Sequence, residues 1–173
     1  MKMLKFSYLI ISLCLSSLVY ANTKLAVPDF ELLDLTFKLS DPAKVAEIHA
    51  QDQKNLKIIE GMLRNGLNKT DGISLVEITS EQREQADKSI GYLFDCPKCS
   101  AELGRSVGSD YIVIGRHHKP TYLFSYLIVR VFDTKTNSLH KEFRSEIKGD
   151  PKQAIPGAVY NLIKKINKTI SSS

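Results

Sequence analysis

The sequence predicts one α/β (α+β) domain, a mixed sheet of about five strands with helices packed on it. Three observations predict it. Cys99, Leu103 and Val107 recur every four residues on one helical face, and Gly108 sits where helices commonly end in a left-handed residue. Tyr111-Ile112-Val113-Ile114 then runs apolar without alternation, as in a strand covered on both faces, and Gly115 is expected to end it. Farther on, Leu139, Phe143 and Ile147 alternate with His140, Glu142, Arg144 and Glu146, the pattern of a half-exposed antiparallel strand.

Residues 1–21 read as a targeting segment outside the fold. Lys2 and Lys5 supply a positive start, Leu9 to Leu18 a short apolar core, and Val19-Tyr20-Ala21 approximates a small-x-small cleavage site. That core is too short to span a bilayer comfortably. Cys14 lies within it behind Leu13, without the small preceding residue that lipid attachment needs. Cleavage near Ala21 leaves residues 22–173 as a single domain in a periplasmic or secreted setting. Removing Lys2 and Lys5 from the 24 basic residues leaves 22 against 19 acidic ones, a net charge of +3. That excess is too small to imply nucleic acid, and no basic run is interleaved with aromatics.

In chain order, Lys24 to Leu35 reads as the first strand. Pro28 removes a ladder donor, which predicts a bulge or an edge position there. Asp29 and Glu31, two apart, are expected on one face; such a pair suits acid–base chemistry, but it also suits a solvated surface. Ser40-Asp41-Pro42 is a helix start, with a capping oxygen followed by proline at the first helical position. The helix runs from about Ala43 to Leu67, with Val45, Ile48, Leu56, Ile59, Leu63 and Leu67 inward and a polar turn at Gln51 to Lys54. His49 on it reads as a surface or boundary residue rather than a ligand. Ile73 to Ile78 is a second strand. Thr79 with Gln82 resembles a capping box and opens a polar helix to about Ser89.

Arg116 to Pro120 reads as a polar connection, and Thr121 to Asp133 as a long strand. Its Tyr122, Phe124, Tyr126, Ile128 and Phe132 lie on one side, and Leu123, Leu127, Val129 and Val131 on the other. After a turn at Thr134 to Asn137 comes the alternating strand. Asp150-Pro151 and Pro156 then open a last helix with Val159, Leu162, Ile163, Ile166 and Ile170 inward.

Three stretches carry a family likeness: K-L-A-V-P-D-F-E-L from Lys24, C-P-K-C-S-A-E-L-G-R-S-V-G-S-D-Y-I-V-I-G from Cys96, and V-R-V-F-D-T-K-T-N-S-L from Val129. Together they resemble an uncharacterised family of exported bacterial proteins related in fold to the TolB amino-terminal domain and to CsgG-like domains. The likeness covers roughly Lys24 to Leu162. It implies a non-enzymatic accessory role at the cell envelope, exercised by binding a protein partner, and it supplies no catalytic residue.

Cys96-Pro97-Lys98-Cys99 is the one motif with chemical potential. The plain reading is a disulfide, formed in an oxidising compartment, that pins a helix start. The alternative is a thiol–disulfide oxidoreductase, since a helix N-terminus favours the thiolate of Cys96. Lys119-Pro120-Thr121 echoes the proline-led strand of such enzymes, but about twenty residues after Cys99 are too few for that fold. A metal held by Cys96, Cys99 and His117 or His118 is the third reading, and adjacent strand histidines pointing oppositely count against it. No serine sits in a G-x-S-x-G elbow, no glycine loop cradles phosphate, and no motif calls for a cofactor. The sequons at Asn68 and Asn167 read as chance.

Overall fold

The computed structural model describes residues 22–36, 41–86, 91–121 and 123–171. The expected targeting segment, Ser40, Ser89 and Tyr122 lie outside the described residues. The element order is β1 Thr23–Ala26, β2 Glu31–Asp34, α1 Pro42–Asn68, β3 Ile73–Val76, α2 Ser80–Ala86, α3 Tyr92–Asp95, α4 Pro97–Ser106, β4 Tyr111–Lys119, β5 Phe124–Asp133, β6 Ser138–Lys148 and α5 Pro151–Ile170.

Among the described residues the sheet has six strands where about five were expected, because the first expected strand is split at Pro28. Its order is β3-β1-β4-β5-β6, with β2 also pairing β4. The strands β1 and β2 run parallel along the same edge of β4, with Ala26 opposite Ile112 and Glu31 opposite Arg116. The chain thus advances five residues while β4 advances four, which is the irregularity that Pro28 predicted. Pairing of β4 with β5 and of β5 with β6 is antiparallel.

One face of the sheet packs on α1 and α5, where Leu56, Ile59 and Leu63 of α1 and Val159, Leu162 and Ile166 of α5 meet Val113, Leu127, Val129 and Val131. The other face packs on α3 and α4, where Leu93, Phe94 and Leu103 meet Ala26, Ile112, Ile114 and Phe132. Both faces of β4 are therefore covered, as its unalternating run requires. Capping follows the sequence closely. Asp41 accepts from the Ala43 N–H and precedes Pro42, Asp150 accepts from the Lys152 N–H and precedes Pro151, and Thr79 and Gln82 bond reciprocally. Gly108 has φ +74° just beyond α4, as its position predicted.

Several expectations are corrected. Strand β4 does not end at Gly115 but continues through the expected connection to Lys119. Gly115 is there because the Phe30 ring crosses it; a Cβ at this position would lie 2.1 Å from that ring. Leu123, expected on a covered side, precedes β5 and is 82% exposed. Leu139 is exposed as well, because the β5–β6 register shifts between Val131 and Phe132, leaving His140 as the extra residue. Pro156 lies inside α5, which Pro151 opens. The segment Tyr92–Asp95 is a short helix that supplies Leu93 and Phe94 to the core.

Candidate functional site

The most elaborated local structure surrounds the break at Pro28. Here α1 presents a charged stripe toward the interrupted strand. The Glu60 side chain is 2% exposed, and its Oε1 accepts from the Phe30 N–H at 2.8 Å. Arg64 Nε donates to the Val27 carbonyl at 3.0 Å, and Arg64 Nη2 pairs with Asp29 Oδ1 at 2.7 Å. Lys57 Nζ bridges Asp29 and Glu60 at 3.1 and 3.0 Å. Arg83 of α2 donates to the Asp29 carbonyl at 3.3 Å. The backbone groups that lose a ladder partner at Pro28 thus find side-chain partners instead. Burial pushes the Asp29 carboxyl up, but the hydrogen bonds and charges of Arg64 and Lys57 outweigh it and hold it below the usual carboxylate range. Burial likewise works against the Lys57 ammonium, yet Glu60 and Asp29 keep its pKa raised.

Beside this clamp lies a pocket of about 550 Å³. Val27, Pro28, Leu75, Val76 and Ile78 give it apolar lining, and Asp29, Arg64, Glu77, Arg83 and Glu84 supply charges. It opens where β1 and β3 both stop. Among the described residues no strand pairs with the side of β3 turned away from β1, or with the side of β2 turned away from β4. Asp29 and Glu31 do not form a carboxylate pair. Asp29 turns to α1, whereas Glu31 pairs with Arg116 and accepts from the Gly91 N–H at 2.6 Å.

A second polar group lies farther along α1, at the end of β4. Lys119 pairs with Asp52 and lies 3.5 Å from Asp34, all three side chains being nearly buried. Burial raises Asp34, but bonds from the Thr36 hydroxyl and N–H and the charge of Lys119 bring it below the carboxylate norm. His117 is 3% exposed, and its Nε2 lies 2.8 Å from Ser125 Oγ. Burial drives the His117 pKa down to about 4, with Lys119 adding to the effect and Asp52 and Asp34 opposing it. The imidazole is neutral at ordinary pH.

Cys96 and Cys99 are joined as a disulfide at the start of α4, with Cα atoms 5.3 Å apart. Cys96 is the residue preceding the helix, and its Sγ accepts from the Cys99 N–H at 3.2 Å. Cys99 packs into the cluster on the α4 face. The structure does not bring the four candidate metal ligands together. His117 faces α1 across the sheet from the disulfide, and strand alternation turns His118 the other way. Among the described residues no group of three His, Cys, Asp or Glu side chains is placed to hold a metal ion. Nor is any helix among them long and apolar enough to cross a membrane.

A family model, DUF3280, described as "Protein of unknown function (DUF2380)", matches residues 23–166. The chain belongs to this family. No curated protein matches it. Among solved structures, the hypothetical protein CT253 from Chlamydia trachomatis is similar with a TM-score of 0.55 at 9% identity, over 88% of this chain and 100% of that one. TolB from Acinetobacter baumannii is similar with a TM-score of 0.52 at 13% identity, over 87% of this chain but 29% of TolB. The LpoB C-terminal domain from Salmonella enterica is similar with a TM-score of 0.47 at 14% identity, over 77% of this chain and 87% of that one. The likenesses to CT253 and TolB show the fold of this DUF3280 chain, and that fold is the TolB-like one its motifs resemble.

Sequence reasoning missed the charged stripe of this family member. Asp52, Asn55 and Glu60 are buried on α1. The signal was present: they fall at helical spacing with Ile48, Leu56, Ile59 and Leu63, where a solvated acid does not belong.

Proposed function

We propose that this protein is exported and serves as a non-enzymatic accessory of the cell envelope, binding an extended segment of a protein partner at the edge beside Pro28. The observation that carries the reading is the pocket at the end of the β3 edge, which no strand pairs among the described residues; it is apolar in part, ringed by charge and held by the α1 clamp. An added strand satisfies its backbone along such an edge and gains specificity by seating side chains in an adjoining pocket. The clamp fixes Val27 to Phe30 before a partner arrives, which lowers the ordering cost of binding. The targeting pattern of residues 1–21 and the TolB-like fold support the envelope setting.

Affinity capture with residues 22–173 tests the reading. The unaltered domain is expected to retain one envelope protein in stoichiometric amount. The double variant Glu77→Lys/Glu84→Lys reverses two exposed pocket charges and is expected to lose at least about tenfold in affinity for that protein without loss of fold. Equal retention by both would remove this edge as the docking site.

A further inference from the structure

The opposite edge of the sheet is a different surface. Strand β6 pairs β5 on one side only among the described residues, and at eleven residues it is long for an exposed edge. Phe143 and Ile147 face α5, so by alternation Glu142, Arg144, Glu146 and Lys148 lie on the other face, alternating in sign. Two contacts set this face in place. Glu142 pairs with Arg130 at 2.7 Å, and the Arg144 guanidinium lies 3.5 Å from the Tyr126 ring centroid.

We propose that two copies of this chain pair through β6, antiparallel about a twofold axis centred on Phe143. In that register Glu142 of each copy faces Arg144 of the other, Lys141 faces Ser145, and Phe143 faces its own counterpart. No like charges oppose one another. Moving the axis by one residue sets Glu142 against Glu142 or Arg144 against Arg144, which cross-strand pairing disfavours. An axis at Ser145 keeps opposite charges opposed but leaves the strand from Ser138 to Lys141 without a partner. The Phe143 register centres the contact on the strand, with the His140 bulge of each copy toward its two ends. The two sheets become one, and the contact is isologous as closed dimers require. In the single copy Lys165 of α5 donates to the Arg144 carbonyl at 3.2 Å. It is a lysine guard on the edge, displaced as the second strand docks.

The test is the mass in solution, by sedimentation, of residues 22–173 at tens of micromolar. The unaltered chain is expected at the mass of two copies. Glu142→Arg and Arg144→Glu each place like charges across the axis, so each is expected to self-associate about tenfold or more weakly and to sediment as one copy. Mixed in equal amounts, the two variants restore both opposite-charge pairs and are expected to sediment as a mixed dimer. Such rescue cannot arise from a folding defect, and an axis at Ser145 would not give it. A single-copy mass for the unaltered chain, a dimer of either variant alone, or no rescue on mixing would each overturn the proposal.

Discussion

His117 is held neutral by burial, with a pKa near 4 against an ordinary 6.5. The unfolded chain takes up the proton at higher pH than the folded one. Its contribution to stability is therefore intact above about pH 6.5, falls as pH drops through that window, and is lost below about 4. The expected loss is about 3 kcal/mol between pH 7 and pH 4, read by urea unfolding, and His117→Gln flattens this slope. Asp29 and Asp34 behave differently. Their folded pKa values lie below 3.8, so their contribution is present above that pH and is lost only as pH falls through the lowered values. At the break, Glu60→Ala leaves the buried Phe30 N–H without its acceptor and is expected to cost about 1–3 kcal/mol, whereas Glu60→Gln retains an acceptor and costs less. Equal losses in the two variants would show that the clamp acts through charge rather than through that bond.

Elements with one strong local signal were legible in the sequence. Asp41-Pro42, Asp150-Pro151, Thr79 with Gln82 and Gly108 each end or begin a helix where their chemistry dictates. What was not legible depends on contacts distant in sequence. Gly115 looks like a terminator until Phe30 crosses it, and β4 then runs four residues further. Gly115→Ala is expected to destabilise the domain by about 1–3 kcal/mol through displacement of that ring, with a matching fall in thermal midpoint. The disulfide is a local device as well. Cys96 and Cys99 close a very short loop, so replacing both by serine should cost no more than about 2 kcal/mol. A larger loss in urea unfolding would mean that the bridge organises more than the start of α4.

Across the whole molecule, the two edges of one sheet have opposite characters. The β6 edge is long and alternating in charge, with one bulge at His140. The edge at β3 and β2 is short, broken by Pro28 and backed by a pocket, and only the break itself was legible in the sequence. The clamp of Lys57, Glu60 and Arg64 that stabilises it was not, because Glu60, like Asp52 and Asn55 farther along α1, occupies an inward position that composition alone assigns to solvent. The measurement that tests the central claim most directly is photo-crosslinking of the exported protein in intact cells. A crosslinking residue replaces Glu77 beside the pocket, or Lys152 at the start of α5 as a control; both positions are exposed. The account predicts a discrete adduct with one envelope protein from position 77 and none from position 152. No adduct from position 77, or the same adduct from both, would contradict it.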